Sequence, residues 1–180
     1  MDIIAQILSI LSCAGIILSF QLKNNRNLFL MQTIAAAGFG ISYLLLGAVE
    51  GCLINCVAFI NTFVLLKKEW RKKPFFIAIC LGFAGIPILS AIFFTEVWTT
   101  AVIIKKSISI IIGIMSTLYA WATWKDDGKT IRTIRLFALT PCWLSYNIIT
   151  FNIGGIICES FNIISIVVSF RRHGIDGFEK

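Results

Sequence analysis

The sequence predicts an all-α polytopic membrane protein. Seven transmembrane helices form two parallel three-helix bundles joined by a linker helix, with the N-terminus outside and the C-terminus inside. Three observations predict this. The 180 residues are 58% hydrophobic and 14% charged, with a mean hydropathy of +0.88, whereas a soluble domain carries roughly 25% charged residues. Seven apolar runs approach the roughly 20 residues that a helix needs to cross a bilayer. Fourteen of the sixteen lysines and arginines fall in alternate connecting segments, which the positive-inside rule assigns to one side of the membrane.

So little polar material cannot cover a water-exposed surface. That excludes a soluble enzyme, a disordered chain and a coiled coil. The net charge of +7 lies at helix ends, where it suits a membrane edge and not a nucleic-acid surface. Cys13, Cys52, Cys56, Cys80, Cys142 and Cys158 all fall inside apolar stretches, form no CxxC pair, and read as small apolar fillers. With His173 as the single histidine there is no zinc set. No cofactor and no metal is expected, and no cluster of residues has catalytic spacing.

The runs cover 3–22, 28–48, 51–67, 74–94, 104–124, 133–151 and 154–171. The first has no basic segment before it and is too long for a signal-peptide core, so it is expected to remain as a helix. A polar turn, Lys23 to Asn27, separates it from the second. Gly47 to Gly51 encloses Glu50 and predicts a tight turn. The basic linker Lys67 to Lys73 ends at Pro74, which suits the first turn of a new helix. Lys125 to Lys129 and Asn152 to Gly155 predict the later turns.

With the N-terminus outside, the inner segments are 23–27, 67–74, 125–135 and 171–180, and they hold all the basic residues except Lys105 and Lys106. Removing any one span scatters the positive charge to both sides. If the fifth helix starts near Ile104, Lys105 and Lys106 lie at the outer interface and snorkel. If it starts near Val97, they lie deep and line a pore. Trp70, Trp98, Trp121 and Trp124 read as interface anchors.

A shift of 104 residues matches one part of the chain to another. It sets Gly51 on Gly155, Phe20 on Trp124, Phe39 on Trp143 and Asn55 on Glu159, and it sets the basic end 67–68 on 171–172. Helices 1–3 then repeat as helices 5–7, and an odd linker span keeps the two repeats parallel. The units are 1–68, a linker with helix 4 over 69–96, a second bundle over 97–172, and a tail over 173–180.

Glu159 is the one acidic side chain placed within a span, and an intramembrane carboxylate is costly unless paired or wetted. Asn162 follows at i+3, and Ser169 shares their face. Asn55, Ala58 and Thr62 form the matching face of the first repeat, with Asn61 and Ser165 to the side. The bland alternatives are that Glu159 bonds a neighbouring helix or pairs with Lys105 or Lys106, and that Asn55 and Asn162 are interhelical glue. Sixteen residues before each polar position stands an aromatic ring, Phe39 before Asn55 and Trp143 before Glu159. A ring packs on a planar or sugar face while the polar group takes hydroxyls or amides; lipid contact or core packing is the plainer role. Tyr43, Tyr146 and Asn147 are further candidates near the outer ends of helices 2 and 6. The candidate solute-binding set is therefore Phe39, Asn55, Trp143, Glu159, Asn162, Tyr43 and Asn147.

The segments Tyr43–Gly51 (YLLLGAVEG), Gly128–Arg132 (GKTIR), Cys142–Asn147 (CWLSYN), Gly154–Glu159 (GGIICE) and Gly174–Phe178 (GIDGF) resemble the YgjV family of bacterial inner-membrane proteins, along essentially the whole chain. The 3+1+3 layout is also similar to the SWEET and PQ-loop group. The first likeness implies a bacterial inner membrane. The second implies transport of small polar metabolites such as a sugar or vitamin-like solute, with an aromatic on each repeat's second helix and a polar group on its third flanking the substrate. The Pro-Gln pair that names PQ-loop proteins stands here as Phe20-Gln21, so a proline-hinged motion does not follow from the likeness. The expected partners are the lipid bilayer and a small polar solute, with no nucleic acid and with homo-oligomerisation left open. The leading function is a facilitator-type transporter with alternating access; the alternative is a non-transporting receptor or scaffold subunit on the same fold.

Overall fold

The computed structural model describes residues 3–93 and 99–174, the Lys68 side chain excepted, and over them the chain is all-α. The elements are α1 (Ile3–Gln21), α2 (Asn25–Leu45), α3 (Val49–Leu66), a short 3₁₀ turn (Lys68–Trp70), α4 (Lys73–Phe93), α5 (Thr100–Trp124), α6 (Gly128–Ile134), a π-helical turn (Arg135–Leu139), α7 (Thr140–Ile149) and α8 (Ile153–His173). Six of these helices are long and apolar enough to cross a membrane. The seventh expected span is the unbroken run of α6, the π turn and α7, which starts at Gly128 and not at 133. The expected anchor Trp98 lies outside the described residues.

Side chains set the helix starts. Asn24 accepts from the Arg26 amide, Thr99 from Val102, Asp127 from Lys129 and Thr130, and Asn152 from Gly155, each satisfying amides that the first turn leaves open. The turns after α2 and α7 share one bonding pattern. Ala48 donates to the Tyr43 carbonyl at 2.9 Å and Gly47 to Leu44 at 3.0 Å; Asn152 donates to Asn147 at 3.0 Å and Phe151 to Ile148 at 3.3 Å. Both are Schellman closures, in which the residue after the cap takes a left-handed backbone. Gly47 does so at φ 67° and Phe151 at φ 51°.

The π turn has a local cause. Pro141 has no amide hydrogen to give the carbonyl four residues back. Just before it the ladder widens, and the Thr140 amide donates to Arg135, five residues away.

Around the ring of helices, α1 packs on α2 and α8, α2 on α3, α3 on α4, α4 on α5, α5 on α6 and α7, and α7 on α8. Large apolar side chains such as Ile3, Leu11, Ile34, Leu81, Phe93 and Ile164 point outward and exposed, as a lipid-facing surface requires. The polar residues are turned inward: Gln6, Ser9, Asn25, Gln32, Asn61 and Asn162 are all buried. One apolar cluster surrounds the centre, with Phe39, Tyr43, Phe83, Ile112, Trp143 and Tyr146 among its members. A second fills the end of the bundle where α1 meets α2, with Phe20, Leu28, Phe29, Leu65, Ile131 and Ile166.

Several charged residues lie elsewhere than the sequence reading puts them. Glu50 is buried in the first turn of α3 and not in an exposed turn, so Glu159 is not the only acid within a span. α5 starts at Thr100, between the two expected starts. Lys106 is buried and paired with Glu50, and Lys105 reaches the same carboxylate at 3.4 Å; Lys106 is therefore no snorkelling interface residue. Arg132, read as part of an inner turn, is fully buried. Its guanidinium donates to the Leu22 carbonyl at 2.8 Å, to Phe20 at 3.4 Å and to Ser169 Oγ at 3.3 Å. It satisfies the open carbonyls at the end of α1 and ties that end to α6 and α8. Ser169 thus belongs to this knot and not to a face shared with Glu159. Trp124 is half-buried, and its indole donates to Asn61 Oδ1 at 2.9 Å, so it is no simple anchor. Trp70 and Trp121 are exposed.

Candidate functional site

A cavity of ≈ 90 Å³ lies inside the ring. Helical spacing brings its walls together. From α2 come Gln32, Ala36, Phe39 and Tyr43; from the π turn and α7 come Arg135, Leu139, Trp143 and Asn147. α3 supplies Asn55, Ala58 and Thr62, α5 supplies Ser116 and Tyr119, and α8 supplies Glu159. Six of the seven candidates, Phe39, Tyr43, Asn55, Trp143, Asn147 and Glu159, line this one cavity. Asn162 does not line it, but donates to Glu159 Oε2 at 3.1 Å.

Glu159 pairs with Arg135 Nη2. Neither Lys105 nor Lys106, the partners considered from sequence, is its partner. Both are occupied with Glu50. Two atoms beside the pair stay open: Arg135 Nε and Asn162 Oδ1 are buried with no hydrogen-bond partner. Asn55 turns its amide nitrogen back to the Gly51 carbonyl at 2.8 Å.

Phe39, Tyr43 and Trp143 line the cavity and pack together with Tyr146, which does not line it. Tyr43 is stacked between Phe39 (6.2 Å, 28°) and Trp143 (5.7 Å, 24°), and Tyr146 meets Tyr43 and Trp143 edge-on at 5.9 and 5.8 Å. Such offset and edge-to-face arrangements match the ring quadrupoles.

Hydrogen bonds join the helices on either side of the cavity. Toward the turns after α2 and α7, Tyr43 donates to Asn147 Oδ1 at 2.5 Å and the Gly51 amide donates to the Tyr146 hydroxyl at 3.0 Å. Tyr146 in turn donates to Glu50 Oε2 at 3.3 Å, and Ser90 donates to Glu50 Oε1 at 3.4 Å. Glu50 thereby joins α3, α4, α5 and α7. Toward the opposite end, Tyr119 donates to Gln32 Oε1 at 3.0 Å and Thr33 to Thr62 at 2.8 Å.

Sequence reasoning missed Arg135, Gln32, Tyr119 and Ser116. Arg135 stood in a basic segment and was assigned to the inner loop. The signal that finds it is Pro141, whose missing amide predicts a ladder defect one turn earlier. Gln32 and Tyr119 carry no local signal, because they meet across 87 positions.

A wider recess of ≈ 790 Å³ opens at the ends of α2 and α3, with Arg26, Lys67, Glu69, Arg71 and Asp126 in its walls. Its charges are mixed, and Arg71 is already held by Asp126 and the Leu65 carbonyl. Among the described residues no group of His, Cys, Asp and Glu side chains is placed to hold a metal ion.

A family model described as bacterial inner membrane protein, Imp-YgjV, matches residues 3–176. No curated protein and no solved structure matches the chain.

Proposed function

The chain belongs to the Imp-YgjV family of bacterial inner membrane proteins and is a multi-pass protein of that membrane, and from that premise we propose that it carries a small polar solute across the membrane by alternating access. The observation that carries this reading is the central cavity, lined by the Arg135–Glu159 pair, by Asn55 and Asn147 and by the rings of Phe39, Tyr43 and Trp143, and formed where several helices meet. An intramembrane ion pair facing such a space reads as part of a solute pathway.

The moving parts are the two three-helix bundles of a SWEET-like 3+1+3 layout, 1–68 and 97–172, with 69–96 as linker, 173–180 as tail, the N-terminus out and the C-terminus in. The matching Schellman turns, 104 residues apart, support the repeat. So does the placing of Phe39 with Trp143 and Asn55 with Glu159 on one cavity. Parallel repeats rocking about a shared site are an established transporter plan. A sugar or vitamin-like solute would lay its flat face on Phe39 and Trp143 and its polar edge toward Asn55, Glu159 and Asn147. No enzymatic step is proposed.

A cavity of ≈ 90 Å³ is smaller than the ~300 Å³ or more of a ligand pocket. Under the transport reading this is a narrow state, and solute entry requires the cavity to widen. The same small volume favours a second reading, a receptor or scaffold whose centre is filled by its own rings. Purified protein is screened by thermal shift against sugars, vitamins and nucleosides, since a ligand of the folded state raises its melting temperature. Ligands found are then tested for counterflow in proteoliposomes. Transport expects exchange that Trp143→Ala abolishes. Binding without exchange establishes the receptor reading, and no binding by any solute favours the scaffold.

A further inference from the structure

Arg135 carries more hydrogen-bonding capacity than its surroundings use. A guanidinium has five N–H donors. Here one nitrogen, Nη2, pairs with Glu159, while Nε is buried and unpartnered. Arg135 and Glu159 are the fixed charges on the cavity wall, and they cancel. We propose that Arg135 is the anchor for a solute bearing a carboxylate, and that Glu159 holds the anchor until a proton releases it. This rests on the transport reading and names the class of its solute.

Charge balance gives the mechanism. The resting cavity holds Arg135⁺ and Glu159⁻. Adding an anion alone would leave a net negative charge buried, which is costly without a partner. Adding an anion together with one proton from the solvent restores neutrality. The proton goes to Glu159, the Arg135–Glu159 pair opens, and the solute carboxylate takes its place on the guanidinium fork, whose geometry suits two oxygens. The empty Nε position is where the second oxygen bonds. A neutral solute has no means of displacing Glu159 from Arg135.

Asn162 serves both states of Glu159. Its amide nitrogen now donates to the carboxylate, and its oxygen is unpartnered. An amide flip turns that oxygen toward Glu159, where it accepts from the protonated acid. The groups facing Glu159 from the packed elements are Arg135 on the π turn, Tyr119 on α5, Tyr43 on α2, Cys13 on α1 and Cys158 on α8. None of these is a second carboxylate. Glu159 is thus the site that takes the proton.

The test uses purified full-length protein and acid–amide pairs that differ in charge and little else: nicotinate with nicotinamide, benzoate with benzamide, acetate with acetamide, and glucose as a neutral polyol. Binding is measured by thermal shift and by calorimetry in two buffers of different ionisation enthalpy, which counts protons taken up. The expected result is binding by one or more acids and not by their amides. One proton should be absorbed per acid bound, and the apparent Kd should rise about tenfold per pH unit wherever that proton is absorbed. Glu159→Gln should bind the same acid without proton uptake and without pH dependence. The double variant Arg135→Gln/Glu159→Gln, neutral and free of any unpaired charge, should fold and bind no acid. Acid binding that survives in the double variant overturns the anchor. Binding by amides or glucose alone overturns it too, while leaving the cavity as a solute site. No binding by any probe at pH 6, 7 or 8 counts against the anchor. It counts against transport as well only if the wider solute screen also fails.

Discussion

The hydroxyl of Tyr43 donates to the amide oxygen of Asn147 at 2.5 Å, and the two residues stand 104 positions apart. That is the offset of the proposed repeat, and the matching turns after α2 and α7 stand the same distance apart. In the proposed two-bundle arrangement, the bond joins a residue to its own equivalent, and such a contact falls where the axis relating the bundles would run. Tyr43→Phe removes the donor and leaves a buried amide oxygen open. The expected cost is about 1–3 kcal/mol, read as a lower midpoint of unfolding in a detergent titration. A Tyr43→Phe/Asn147→Leu double variant should cost less than the sum of the two single changes. Additive effects would mean that the two side chains do not depend on each other.

Sidedness is tested at the turns. Gly47 and Phe151 are exposed at one end of the bundle, Lys72 and Lys129 at the other. In a cysteine-free background, single cysteines at 47 or 151 should react with a membrane-impermeant maleimide applied to intact spheroplasts. Those at 72 or 129 should react only after the membrane is opened. Labelling at Lys72 in intact cells would invert the N-out arrangement.

Glu50 should matter more for stability than its position near a turn suggests. Glu50→Ala strands the buried Lys106 ammonium, and removing one partner of a buried pair costs roughly 3–5 kcal/mol. Glu50→Gln/Lys106→Met removes both charges and should recover most of the loss. Lys105→Ala should cost no more than about 1 kcal/mol, because that lysine is partly exposed and solvent weakens its pairing. Equal losses for Lys105→Ala and Lys106→Met would refute this division.

The helices were legible in the sequence because each ends in polar residues, glycine or a capping side chain, and those signals are local. Phe39 and Trp143 were legible as a pair because the 104-residue shift sets one on the other, and Tyr43 and Asn147 were legible from their places near the outer ends of their helices. Partnerships were not legible. Glu50 looked like a turn residue since Gly47 and Gly51 bracket it, and the lysines that pair with it come from 55 and 56 positions away. Arg135 looked like an inner-loop charge because the positive-inside rule counts basic residues by segment and is blind to which way a side chain turns. The π turn re-aims it, and only Pro141 hints at that defect.

The last prediction concerns two glycines that stand 104 positions apart, Gly51 and Gly155. A Cβ on Gly51 would sit 2.9 Å from the Tyr43 ring and 3.0 Å from Tyr146; one on Gly155 would collide with the side-chain amide of Asn147. Neither neighbour is free to retreat. Tyr43 is stacked on Trp143, and Asn147 accepts the Tyr43 hydroxyl. Gly51→Ala and Gly155→Ala should each cost about 1–3 kcal/mol through overpacking. Gly85→Ala in α4 meets nothing within 4 Å and should be neutral or gain up to about 1 kcal/mol from helix propensity. The three are compared by their unfolding midpoints in one detergent. One costly substitution presses on Tyr43 and the other on Asn147, the two partners of a single hydrogen bond. Once one has broken it, the other has less to disturb, so the double variant should lose less than the sum. A fully additive loss would show that the two glycines act on separate contacts, and the shared bond would not be the point at which the halves are coupled.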